Sequence, residues 1–103
     1  MTPMNFKYEI SGDTVNAAIS GRLDTITSTQ FAIDIMPVAD NADKHIILDC
    51  KELAYVSSSG LRQLMLLRKQ TIAKGGDITM LNVSKDVRQV FTIAGFEPLF
   101  IFR

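Results

Sequence analysis

Between the apolar run Ile46-Ile47-Leu48-Asp49-Cys50 and a helix-like stretch from Leu61 to Lys74 lies Tyr55-Val56-Ser57-Ser58-Ser59-Gly60. Consecutive serines followed by glycine place several hydroxyls where a helix begins. The first turn of a helix has backbone N–H groups without intrahelical partners, and its dipole favours negative charge. Two chemistries suit serine there. One is capping, worth about 1 kcal/mol. The other is phosphorylation, which adds about −1.5 to −2 charge and strong acceptor oxygens.

Other reactive side chains are few. His45, the sole histidine, precedes an apolar strand-like run with no acid–base partner suggested by spacing, and reads as structural or solvated. Cys50 ends that run and reads as a buried structural thiol. The sequence holds no nucleophile elbow, no Walker or dinucleotide-binding glycine loop and no metal-spaced His/Cys cluster, so no catalytic set can be named and no cofactor is expected. Asp24, after Gly21-Arg22-Leu23, is a carboxylate at a helix entrance, suited either to the dipole or to a partner surface.

Composition narrows the class further. At 103 residues with 47% hydrophobic content, one domain with one core is expected. Eleven basic and eleven acidic residues cancel, which gives no general attraction to nucleic acid or anionic lipid. A single cysteine suits a reducing cytoplasm. Met1-Thr2-Pro3-Met4-Asn5 shows no signal-peptide pattern, and no apolar run is long enough to span a membrane.

The elements that position the serines follow from periodicity. Phe6 to Ile10 alternates apolar and charged residues; Ser11-Gly12-Asp13 is turn chemistry; Thr14 to Ile19 returns as a second strand. Thr27 with Gln30 fits a capping box ahead of Phe31, Ile35 and Val38, and Pro37 ends or kinks that helix near Ile35 or Met36. Asn41 to Lys44 reads as a polar loop, and Ile46 to Cys50 as a buried parallel strand. On the next helix Leu61, Leu64, Met65 and Ile72 share a face, with Arg68 packing its stem there while its guanidinium reaches outward. Leu66 points away from that face. Lys74-Gly75-Gly76 stops the helix. Ile78 to Leu81 is a strand; Ser84 caps a helix with Val87, Val90, Phe91 and Ala94 on one face, stopped by Gly95; Leu99 to Phe102 closes the chain. Phe6, Tyr8, Phe31, Phe91 and Phe96 fall at core positions. The order β-β-α-β-α-β-α-β implies an α/β fold, a mixed sheet with parallel crossovers and helices packed on it.

Taken together, Gly21-Arg22-Leu23-Asp24, Ile47-Leu48-Asp49-Cys50 ahead of Leu53, Ser58-Ser59-Gly60-Leu61, Gly75-Gly76 and Val87 to Gly95 resemble a STAS domain from about Phe6 to Phe102. That fold is shared by bacterial anti-sigma factor antagonists and the cytoplasmic tails of sulphate transporters. The resemblance implies a single STAS domain over residues 1–103. In the antagonist branch the motif D-S-[ST]-G-L carries a phosphorylated first serine, which corresponds by position to Ser58. The same resemblance implies a partner surface of Asp24, Ser57, Ser59, Gly60 and Arg62 around it. Ser57 stands where antagonists carry aspartate, and Arg62 puts a cation beside the acceptor.

The implied partner is an anti-sigma factor that is also a serine kinase of the histidine-kinase-like ATPase type. Sequestering it frees a sigma factor for transcription; phosphate on the antagonist breaks the complex. Direct nucleic-acid contact and membrane insertion are not expected, and the implied location is cytoplasmic. A second reading, motivated by Ser57, is a STAS subunit that is never phosphorylated, within a lipid-transport or signalling assembly. A small enzyme is the least favoured class.

Overall fold

A computed structural model describes residues 4–103; the absence of a signal-peptide pattern in residues 1–3 lies outside them. Two antiparallel strands open the chain, β1 (Asn5–Ser11) and β2 (Thr14–Leu23). Helices α1 (Thr27–Asp34) and α2 (Met36–Ala39) lead to β3 (His45–Val56). Helix α3 (Ser58–Lys74), β4 (Asp77–Leu81), α4 (Lys85–Ile93), a 3-10 turn (Glu97–Leu99) and β5 (Ile101–Phe102) complete it. The predicted order holds. Strands lie in the order β1-β2-β3-β4-β5, antiparallel only between β1 and β2.

Sequential parallel crossovers of one hand step across the sheet in one direction, so the helices collect on one face. Burial follows. Val15, Ala17, Ile19 and Leu23 of β2, and Ile46, Leu48 and Cys50 of β3, turn into the core, while alternate residues remain accessible. The reading of Ile46 to Cys50 as a buried parallel strand is corrected in part: β3 is central and parallel, with Ile46, Leu48 and Cys50 buried, but Ile47 and Asp49 on the other face are only partly covered. Phe31 meets Phe6 edge-on at 5.4 Å, and Phe91 meets Phe100 and Phe102 edge-on at 5.2 and 5.4 Å. Tyr8 departs from the expected core set: on the edge strand it is 41% exposed.

Helix boundaries follow local chemistry with one shift. Pro37 separates α1 from α2, as its missing donor requires. Ser84 caps α4, accepting from the Val87 N–H at 3.2 Å, and α3 stops at Gly75. The capping box lies one turn earlier than predicted. Asp24 Oδ1 accepts from the Thr27 N–H at 2.9 Å, and Thr27 Oγ1 accepts from the Asp24 N–H at 2.9 Å. Gln30 instead donates to Asp34 at 2.7 Å. The reciprocal bonds need only an acceptor at each end of a three-residue span, which Asp24 and Thr27 supply as well as Thr and Gln do.

Helix α3 is rotated about its axis relative to the predicted face. Leu61, Leu64, Leu67 and Thr71 are buried, whereas Ile72 is 61% exposed. Arg68 keeps its predicted role: it is half-buried and its Nε donates to the Leu99 carbonyl. On α4, Val87 and Phe91 are buried, whereas Ala94, the residue that caps its end, faces solvent. Within the Asn41–Lys44 loop, Ala42 is fully buried.

At the amino ends of the parallel strands, His45 pairs in register with Asp77, its Nδ1 3.0 Å from Asp77 Oδ2 and its Nε2 3.9 Å from Asp13 Oδ2. The hydrogen bond to Asp77, helped by that carboxylate's charge, raises the His45 pKa. A group whose folded pKa is raised contributes stability that is complete below its unfolded value, about 6.5, and is lost as pH rises through the folded value. Thermal midpoints of the wild type therefore fall slightly from about pH 6 to pH 8 relative to those of His45→Gln. Parallel profiles for the two proteins would refute the linkage.

Candidate functional site

Strands β2 and β3 place the sequence-predicted residues at one end of the sheet. Arg22 pairs with Tyr55 and Leu23 with Val56 in the parallel register, so Asp24 and Ser57 leave neighbouring strands side by side. The Ser57 N–H donates to the Leu23 carbonyl at 2.8 Å, tying the two exits together. Both lie at the carboxyl ends of parallel strands, the usual position of sites in open α/β sheets. Gly21 is in β2 rather than after it. Its φ of +86° coincides with a register shift against β3, a bulge that only glycine enters without strain.

The serines have separate positions. Ser57 is the N-cap of α3, and its Oγ accepts from the Gly60 N–H at 3.1 Å. Ser58, the first helical residue, is exposed, and its hydroxyl makes no hydrogen bond among the described residues. Ser59 is half-buried. The run of serines thus divides into a cap, an accessible hydroxyl and a partly covered one. Ser57→Ala removes the cap and lowers stability by about 1 kcal/mol, whereas Ser57→Asp, which offers the same acceptor, retains it. Urea unfolding of both variants checks this; equal losses would contradict it.

Gly60 is buried, so it acts on a partner only through the contact it makes inside the protein. A Cβ there would lie 2.6 Å from Leu23 Cγ and 2.9 Å from the Leu23 carbonyl oxygen. The glycine lets the start of α3 approach the end of β2. This contact brings Asp24 and the serines into one surface, and spacing gave no sign of it beyond the glycine itself.

Asp24 is half-buried and already engaged. The Ile26 N–H at 3.0 Å and the Thr27 N–H both donate to its Oδ1. Chiefly the Thr27 amide holds its pKa below the ordinary aspartate value, with Arg22 contributing. Asp24 is therefore a fixed anion at the rim of the site, its second oxygen accepting no hydrogen bond among the described residues. Arg62, one turn into α3, is exposed.

Sequence reasoning missed two features. Arg22 stacks over the Tyr55 ring at 4.3 Å, a pair that becomes visible only once the β2–β3 register is known. Ile26, 84% exposed, stands beside Asp24 in the same loop. Cys50 lies away from these residues, and burial pushes its thiol up to about 12, as expected of a structural cysteine. Among the described residues no helix is long and apolar enough to cross a membrane.

Known proteins share this fold. A candidate anti-sigma factor antagonist, BtrV of Bordetella bronchiseptica, is 30% identical over 84 residues, covering 82% of this chain and 72% of BtrV. The solved structure of the anti-sigma factor antagonist SpoIIAA in its unphosphorylated form superposes with a TM-score of 0.76 at 24% identity, over 96% of this chain and 88% of that one. The Bacillus cell-fate determinant SpoIIAA in its phosphorylated form gives a TM-score of 0.71 at 25% identity, over 96% and 91% of the two chains. The family model for the STAS domain matches residues 5–103, and with the α/β architecture and one-sided helix layer described above, the chain belongs to the STAS domain family.

Proposed function

We propose that this chain is an anti-sigma factor antagonist: a binding module, not an enzyme, that sequesters an anti-sigma factor and is switched by phosphate on Ser58. The partner is a serine kinase of the histidine-kinase-like ATPase type, the module acts in the cytoplasm, and residues 1–103 work as one STAS unit. The observation that carries the reading is the exposed, unbonded Ser58 hydroxyl at the first position of α3, beside Asp24 and Arg62. A phosphate there meets free helix N–H groups and the positive end of the dipole, so the fold tolerates it and the effect falls on the interface. That SpoIIAA has been solved in both forms on this fold supports the same point.

Ser57 in place of aspartate does not remove the local geometry, because serine caps the helix as aspartate does. Partner contacts are assigned to Asp24, Ser59 and Arg62 directly, and to Ser57 and Gly60 through the positions they impose. The test is incubation with ATP and the product of any neighbouring reading frame that encodes an ATP-binding kinase-type protein, followed by mass spectrometry. Phosphate on Ser58 is the expected result. An unmodified chain that still binds that protein, with no dependence on ATP, would favour the constitutive STAS subunit instead.

A further inference from the structure

Ser58, Arg62, Met65 and Lys69 stand at i, i+4, i+7 and i+11 of α3. At about 100° per residue they align in one stripe along the helix. That stripe lines a groove of about 390 Å³, closed in part by Phe96 from the turn after α4. Met65 and Phe96 are partly buried against the core and give the groove an apolar floor. Leu66, 45% exposed, adds apolar surface at its edge. Among the described residues, neither Arg62 nor Lys69 has a carboxylate within ion-pair distance. An apolar floor bordered by two uncompensated cations is complementary to an amphipathic helix with acidic residues beside its apolar stripe.

We propose that this groove docks an acidic amphipathic helix of the protein partner, and that phosphate on Ser58 weakens the docking. Helical side chains lean toward the N-terminus, so Arg62 leans toward Ser58. A phosphoserine one turn away takes Arg62 by charge-assisted hydrogen bonds and sets like charge at the end of the groove. The coupling to phosphate rests on the reading of Ser58 as the switch; the docking site does not.

The test is an NMR titration of the ¹⁵N-labelled chain with a synthetic helical peptide of Leu, Ala and Glu, its leucines at i, i+3, i+4 and i+7. A control peptide carries Lys in place of every Glu. The acidic peptide is expected to shift the amides of Leu66, Lys69 and Phe96. Its affinity is expected to fall about tenfold or more in Arg62→Glu/Lys69→Glu, whose changes are exposed and leave the thermal midpoint in place. Lys69→Glu alone, far along the helix from the phosphate site, weakens binding too. Shifts elsewhere on the surface, equal binding of the lysine control, or unchanged affinity in the double variant would each overturn the docking site. Ser58→Asp is expected to weaken the peptide several-fold, and equal binding would overturn the coupling. No kinase enters the titration, so a failed groove and an unphosphorylated Ser58 are read independently.

Discussion

Gly60→Ala lowers stability by about 2–3 kcal/mol and disrupts partner binding more than its distance from the surface suggests. The added Cβ would stand 2.6 Å from Leu23 Cγ, 2.9 Å from Leu23 Cδ2 and 2.9 Å from the Leu23 carbonyl oxygen, closer than such atoms approach in folded proteins. Leu23 is fully buried, and its carbonyl is held by the Ser57 N–H at 2.8 Å, so neither partner yields freely. Either α3 retreats or the end of β2 moves, and both separate Asp24 from Ser58. For a domain of this size each kcal/mol corresponds to roughly 4–8 °C in thermal midpoint. Leu23→Ala in the same chain removes the two side-chain contacts and leaves only the one with the carbonyl oxygen, so the double variant loses less than the sum of the two single changes. Additive losses, or a Gly60→Ala protein with native stability and native affinity, would disprove the close-packing account.

Phosphate on Ser58 leaves the fold intact and reduces affinity for the anti-sigma partner by about 10- to 150-fold, equivalent to roughly 1.4–3 kcal/mol. The side chain is exposed and its hydroxyl is unbonded, so modification breaks no internal contact. The helix N-terminus is an anion-tolerant position, so the thermal midpoint stays close to that of the unmodified chain. The cost falls on the complex, where about two negative charges must be desolvated or repelled. Because the effect is electrostatic and near the surface, the gap between the two forms narrows as salt rises from about 0.05 to 0.5 M. Isothermal titration of phosphorylated chain against Ser58→Ala gives the comparison directly. Equal affinities would remove the switch while leaving the binding module in place.

These effects depend on how the three serines are used. Ser57, at the position that resembles an aspartate in antagonists, is the cap, and its oxygen is committed to the Gly60 amide. Ser59 is partly covered. The accessible hydroxyl is that of Ser58. A kinase approaching this surface would therefore meet Ser58 as the most exposed of the three serines, held at the helix start by the Ser57 cap.

Local rules carried much of the fold. Strand alternation in β1, the Pro37 break, the Ser84 cap and the stop at Lys74-Gly75-Gly76 are each decided within a few residues of chain, and each lies where the sequence places it. The order of strands and helices implied parallel crossovers, and the motifs in that order identified the STAS resemblance.

Only the tertiary structure decided which side of α3 is buried. Leu61, Leu64 and Ile72 do fall on one helical stripe, yet burial follows Leu61, Leu64, Leu67 and Thr71, because the sheet and α1 determine where the core lies. Periodicity specifies that a face exists; the packing of distant elements specifies which one. The capping box shifted to Asp24 and Thr27 because two chemically adequate pairs were available in one short segment. The β2–β3 register, with its bulge at Gly21, brought Leu23 beside Val56 and made room for Gly60 to touch Leu23. Those contacts are long-range, and no window of sequence contains both partners. The serine run marked Ser58 as the candidate residue, whereas the surface that groups it with Asp24 and Arg62 exists only where β2, β3 and α3 meet.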